Sequence, residues 1–134
     1  MVLSGEFLAS FLRRILWIII EDGAILNNNE NRKKFGDLFS LSIKKKNDWT
    51  LPDFLIELEA CMAFFNASNN QPGWMTEFQF GVIFDHLPAR VDRRLGEEIT
   101  KLHYDQDFVI RKASVVEQRR ILGESMLGSK NIVT

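Results

Sequence analysis

Cysteine occurs once in 134 residues, at Cys61. A single thiol forms no internal disulfide, so an oxidised scaffold is excluded. Histidine is almost as scarce, with only His86 and His103. The repeated histidines or thiols of a zinc centre are therefore missing. Gly36, Gly73 and Gly81 are isolated, and none opens a strand–loop–helix phosphate cradle. Neither sign of charge prevails: Lys and Arg total 17 against 18 acids, a formal net charge of -1. The basic surplus that duplex-binding proteins use against phosphates is absent. Long hydrophobic runs are absent too. In MVLSGEFLASFLRRILWIII, Glu6 comes early and Arg13-Arg14 split the apolar stretch, which does not suit a signal peptide. The longest clean run, 15–20, is too short to cross a bilayer. These absences predict a soluble, cytoplasmic chain without a transmembrane segment. A second reading of the same stretch is an interfacial helix, because Leu8, Phe11, Leu12 and Ile15 share a face near two arginines.

What is present is apolar matter in the amount a core needs. Hydrophobic residues make up 46% and charged residues 26%, a globular balance. Eleven Phe and three Trp stand beside a single Tyr. Rings this numerous go largely inside, and some can anchor a partner. The length suits one domain with its own core. The expected unit is a single helical domain over 1–134, with 128–134 as a frayed tail.

Periodicity predicts a mainly α fold, a compact bundle of about five helices with irregular connections and room for one short hairpin. The first helix is read over 4–20, with Ser4 as N-cap and a local strand alternative at 15–20. Residues 27–34 read as a polar loop entering a short helix anchored by Phe35, Leu38 and Phe39. Lys44, Lys45 and Lys46 begin a solvated connector. The clearest start signal is Thr50, with Asp53 at the third helical position, Pro52 in the first turn, and Trp49 and Phe54 placed as a hydrophobic staple. The helix it opens carries Phe54, Leu55, Leu58, Cys61, Met62 and Phe65 as a stripe, with Glu57 and Glu59 pointing away from most of it. Residues 74–87 fit both a strand and a helix, and helix is preferred because no second strand is evident. After Pro88, the positions Val91, Leu95, Ile99 and Leu102 mark a peripheral helix that 103–107 break. Ser114 with Glu117 forms a capping-box pattern for a last helix, striped by Val115, Leu122 and Met126 and ended by Gly128.

Candidate chemistry is thin. Asp85 and His86 are sequence neighbours and need not face each other. His103, Asp105 and Asp107 are spaced at two, so an extended segment would aim all three the same way, toward an ion or a shared proton. The spacing lacks the glycine turn and distant Glu of a calcium loop. Cys61 on an apolar stripe reads as a small buried hydrophobe. Arg90, Arg93 and Arg94 can share one helix side, but Glu97 and Glu98 erode the field. The sequence Arg111-Lys112-Ala113-Ser114 matches a short basic kinase pattern of low specificity, and Ser114 already serves as a cap in this reading.

No catalytic residue, metal ligand or cofactor is therefore expected. The sequence favours a non-enzymatic protein-binding chain, most concretely an inhibitor or toxin-neutralising immunity-like protein acting by steric occlusion. Its expected partner-binding residues are Trp49, Trp74, Asp85, Tyr104, Asp105 and Asp107, aromatic anchors with a charged rim. The alternatives are a nucleic-acid-associated regulatory module, using Lys33, Lys34 and Lys44 to Lys46, and a structural subunit of an oligomeric assembly. Self-association through an apolar helix face is compatible with the same pattern.

Overall fold

Thr50 starts the central helix as its sequence requires: its hydroxyl accepts the Asp53 backbone N–H at 3.3 Å, and Pro52 sits in the first turn. The structure is a computed structural model and describes residues 2–3, 28–69 and 93–132. Within these lie strands β1 (Val2–Leu3) and β2 (Trp49–Thr50) and four helices: α1 (Asn29–Ile43), α2 (Leu51–Ser68), α3 (Arg93–His103) and α4 (Gln106–Ile132). The mainly α architecture is the expected one, with four helices among the described residues rather than about five. The helix read over 4–20 and the ambiguous segment 74–87 lie outside the described residues.

α1 begins earlier than the sequence suggested. The Asn28 side chain accepts the Asn31 N–H at 2.7 Å, satisfying one orphan donor of the first turn. Glu30 and Lys34 pair at 2.7 Å along the exposed side. Most of the polar stretch 27–34 is thus helix. Phe35 and Phe39, four apart, point inward. The two rings stack at 6.0 Å, Phe35 meets Phe65 edge-on at 5.7 Å, and Phe39 meets Phe54 at 5.6 Å. This ladder of rings is the joint between α1 and α2. Burying one such side chain contributes about 1.5–3 kcal/mol.

α2 is covered on nearly every side, with all positions from Phe54 to Ala63 buried. A helix so enclosed is a core element, not a surface one. Its widest contact is with α4, while α1 covers another side. α2 and α4 run in the same direction: Arg111 reaches Asp53, Arg119 reaches Glu57, and Gly123 lies against Phe64, Ala67 and Ser68. At Gly123 a Cβ would stand 2.7 Å from the Phe64 carbonyl oxygen, so the close approach of the two helices depends on its absence. β1 pairs antiparallel with β2, Val2 opposite Thr50 and Leu3 opposite Trp49. This pairing joins distant segments and is not a hairpin. Trp49 is 6% exposed, and its indole N–H donates to the Ile43 carbonyl at 2.9 Å.

α4 corrects three expectations. It starts at Gln106, because the Asp105 carboxylate accepts the Phe108 N–H at 3.2 Å and caps the helix. Ser114 is therefore an exposed interior position and not a cap. The helix also passes through Gly128 to Ile132. Its inward face is made by Phe108 and Gly123, buried, with Lys112, Val115, Val116 and Arg119 half-buried. Leu122 and Met126, expected in the stripe, are exposed.

Candidate functional site

Two places on this frame gather polar or reactive groups. The first is inside. Arg119 donates from Nη1 to Glu57 Oε1 at 3.0 Å and from Nη2 to Oε2 at 2.9 Å, a bidentate pair between α4 and α2. Ser42 Oγ also donates to Glu57 Oε1, and the Cys61 thiol donates to the same oxygen at 3.5 Å. Beside it, Lys112 Nζ lies 3.6 Å from Glu59 Oε1 and 5.5 Å from the centre of the Phe108 ring. Glu57 and Glu59 are buried, the reverse of their expected outward direction, because α4 brings the cations to them. Burial works against the Arg119 charge, but the hydrogen bond and charge of Glu57 outweigh it and hold the guanidinium above its ordinary pKa. Burial pushes the Cys61 thiol up to about 12, and the neighbouring Glu57 charge adds to the effect. A thiol so protonated is a poor nucleophile at neutral pH. The junction is an anchor for α4, and its groups are spent on one another.

The second place is outside, at the turn between α3 and α4. α3 ends at His103, and the chain turns through Tyr104 and Asp105, whose N–H groups return to Lys101 and Leu102 at 3.1 Å each. Ile99, buried, and Leu102, half-buried, pin α3 to the core, so the turn is held at the surface. Tyr104 is 85% exposed and Ile110, in the second turn of α4, 67% exposed. Val109 is exposed between them, and Asp105 and Asp107 are exposed alongside. Five of the seven exposed large hydrophobics among the described residues lie on α4, which concentrates the outward apolar surface on one helix.

The expected partner-binding residues separate on this frame. Tyr104, Asp105 and Asp107 come together at the turn. Trp49 does not join them: it is buried in the β2 strand, bonded to Ile43, with Lys46 Nζ 4.5 Å from its ring centre. Its ring is part of the packing and is not offered to a partner. Trp74, Asp85 and His86 lie outside the described residues. His103, Asp105 and Asp107 are not aligned as on an extended strand, since a helix end, a turn and a new helix separate them. Among the described residues no group of three His, Cys, Asp or Glu is placed to hold a metal ion. Ile110 and Ile121, which were not among the expected partner-binding residues, are also exposed. They are eleven residues apart, about three helical turns, and so lie on one line.

The lysine run is partly engaged. Lys46 bonds Asp53 at 3.1 Å, and Lys34 is paired with Glu30, while Lys33, Lys44 and Lys45 are exposed. No helix of the described residues is long and apolar enough to cross a membrane. The chain matches no protein family, no curated protein and no solved structure.

Proposed function

We propose that the protein is a non-enzymatic protein-binding domain that occludes a partner's surface, as an inhibitor or immunity-like protein does. The observation that carries the reading is the exposure of Tyr104, in the turn between α3 and α4, and of Ile110, in the second turn of α4. An exposed aromatic ring beside an exposed aliphatic side chain is the make-up of an interface anchor. Asp107 beside it tunes encounter and specificity through its charge. Trp74 and Asp85 stay in the proposal as further contacts. No catalytic residue or cofactor is part of it.

The test is capture from the native host with the wild-type chain and with a Tyr104→Ala, Ile110→Ser variant of equal helicity. One stoichiometric protein held by the wild type and lost by the variant supports the reading, and an assay of that partner's activity separates inhibitor from adaptor. A partner held equally by both, or nucleic acid that survives moderate salt, overturns it.

A further inference from the structure

We infer that the outer face of α4 is a docking seam for a cationic amphipathic helix of a partner protein, an inference that rests on the protein-binding reading and specifies its chemistry. Opposite the face that α4 turns to α2, the positions Asp107, Ile110, Ser114, Glu117, Ile121 and Glu124 recur at alternating spacings of three and four, the spacing of a helix–helix seam. All but the two isoleucines are polar or acidic. Ile110 is 67% exposed and Ile121 53% exposed, with Leu122 exposed at the flank. Along one side Arg120 bonds both Glu117 and Glu124. Three carboxylates on the seam stand against this single guanidinium, because Arg111 at its edge is drawn to Asp53 at 3.2 Å.

Charge decides between the occupants. In an antiparallel pair of α4 helices, the register that sets Ile110 of one copy against Ile121 of the other also sets Asp107 against Glu124 and Ser114 against Glu117. A parallel pair in register sets each acid against itself. Both pairings bring carboxylate against carboxylate, which is unfavourable. A helix carrying apolar residues at the isoleucine positions and Lys or Arg between them meets apolar with apolar and acid with base. The seam therefore selects a basic helix and rejects its own copy.

The probe is a fluorescent synthetic peptide with leucines on one helical face flanked by lysines, titrated into the full-length chain and followed by anisotropy. A shuffled peptide of the same composition, with no apolar face, is the control. The patterned peptide is expected to bind at least about tenfold tighter than the shuffled one, and Ile110→Ser with Ile121→Ser to remove that preference. Asp107→Asn with Glu117→Gln is expected to weaken binding several-fold and to flatten its dependence on salt. Circular dichroism checks that the exposed substitutions leave the fold intact. Equal binding of both peptides, or indifference to the isoleucine substitutions, overturns the seam. So does sedimentation of the free chain as a dimer that those substitutions dissociate. If the peptides fail while a captured host protein still depends on Tyr104 and Ile110, the seam is wrong and the protein-binding role stands; if capture fails as well, the role itself falls.

Discussion

Arg119 grips both carboxylate oxygens of Glu57 across the interface between α4 and α2, at 3.0 and 2.9 Å. The two residues are 62 apart in sequence. Glu57 is enclosed, whereas Arg119 keeps a partly exposed side chain, so the pair is intermediate between a buried and a surface bridge. Arg119→Met leaves the Glu57 charge with only hydroxyl and thiol donors. The expected loss is about 2 kcal/mol in urea unfolding, below the cost of breaking a fully buried pair because Arg119 is partly solvated. Glu57→Leu with Arg119→Leu is expected to cost less than Arg119→Met alone. A double variant that loses the sum of both singles would show that the two side chains act independently.

Gly123 and Gly128 give opposite responses to the same substitution. Ala in place of glycine inside a helix gains up to about 1 kcal/mol in propensity. At Gly128 nothing lies within 4 Å of the added carbon, so Gly128→Ala should raise the melting temperature. At Gly123 the carbon meets the Phe64 carbonyl oxygen at 2.7 Å and Ala67 Cβ at 2.9 Å. Backbone has to shift, and Gly123→Ala should destabilise by about 1–3 kcal/mol net. Thermal unfolding of the two variants side by side checks both signs.

Asp53 ties acid stability to the start of α2. Burial alone would raise its carboxyl, but the Lys46 hydrogen bond and charge, the Arg111 charge and a Thr50 hydrogen bond together hold it below its ordinary 3.8. A depressed folded pKa means stability that is present above the unfolded value and lost as pH falls through the folded one. Asp53→Asn should therefore be less stable than wild type at neutral pH, and the gap should close below about pH 4. Unfolding midpoints in denaturant across that range measure it. A gap that stays constant would show that Asp53 acts through packing and not through charge.

How far the sequence reaches is clear from these residues. Trp49, Thr50, Pro52, Asp53 and Phe54 were legible because a helix start is written in consecutive residues. Cys61 was legible as a buried apolar position because it falls on the helix's periodic apolar stripe. The inward face of α4 was not. It is carried by a glycine and two cations, Gly123, Arg119 and Lys112, which no apolar periodicity selects. Their direction is set by the carboxylates of α2, more than fifty residues away. Ser114 and Glu117 satisfy a capping pattern, but a helix already under way from Asp105 overrides it. At the candidate site, Tyr104, Asp105 and Asp107, chosen by residue type, are exposed, while Trp49 is buried, because its indole also fits a core.

Asp105 separates folding from binding. Its carboxylate caps α4 through the Phe108 N–H, so Asp105→Ala should lower stability by about 1 kcal/mol. Asp105→Asn keeps an accepting oxygen and should restore most of that loss. If partner affinity falls with alanine and returns with asparagine, Asp105 contributes by holding the turn. A fall that asparagine does not reverse would mean that its charge is read directly.

Cys61 should be silent to a thiol-specific disulfide reagent in the native state at neutral pH. Its thiol is buried and pushed up to about 12, so labelling requires opening of the α2–α4 interface. The labelling rate should track global unfolding in urea. Because the folded value is raised, stability is held below the ordinary thiol value of 9.0 and declines as pH rises toward about 12. Rapid native-state labelling would show a separate local opening.

Because α2 and α4 run in the same direction, their backbone dipoles add where antiparallel helices would cancel. The amide-rich poles of both helices crowd one end of the molecule, and like poles repel. Asp53 in the first turn of α2, and Asp105 and Asp107 at the start of α4, place negative charge at that end. No basic residue stands in the last turn of α2, but α1 runs the other way beside it, Phe35 meeting Phe65 and Phe39 meeting Phe54, so the amide pole of α1 lies toward the carbonyl end of α2. Among the described residues the aspartates thus answer the paired amide poles of α2 and α4, and the antiparallel α1 sets its own amide pole toward the carbonyl end of α2.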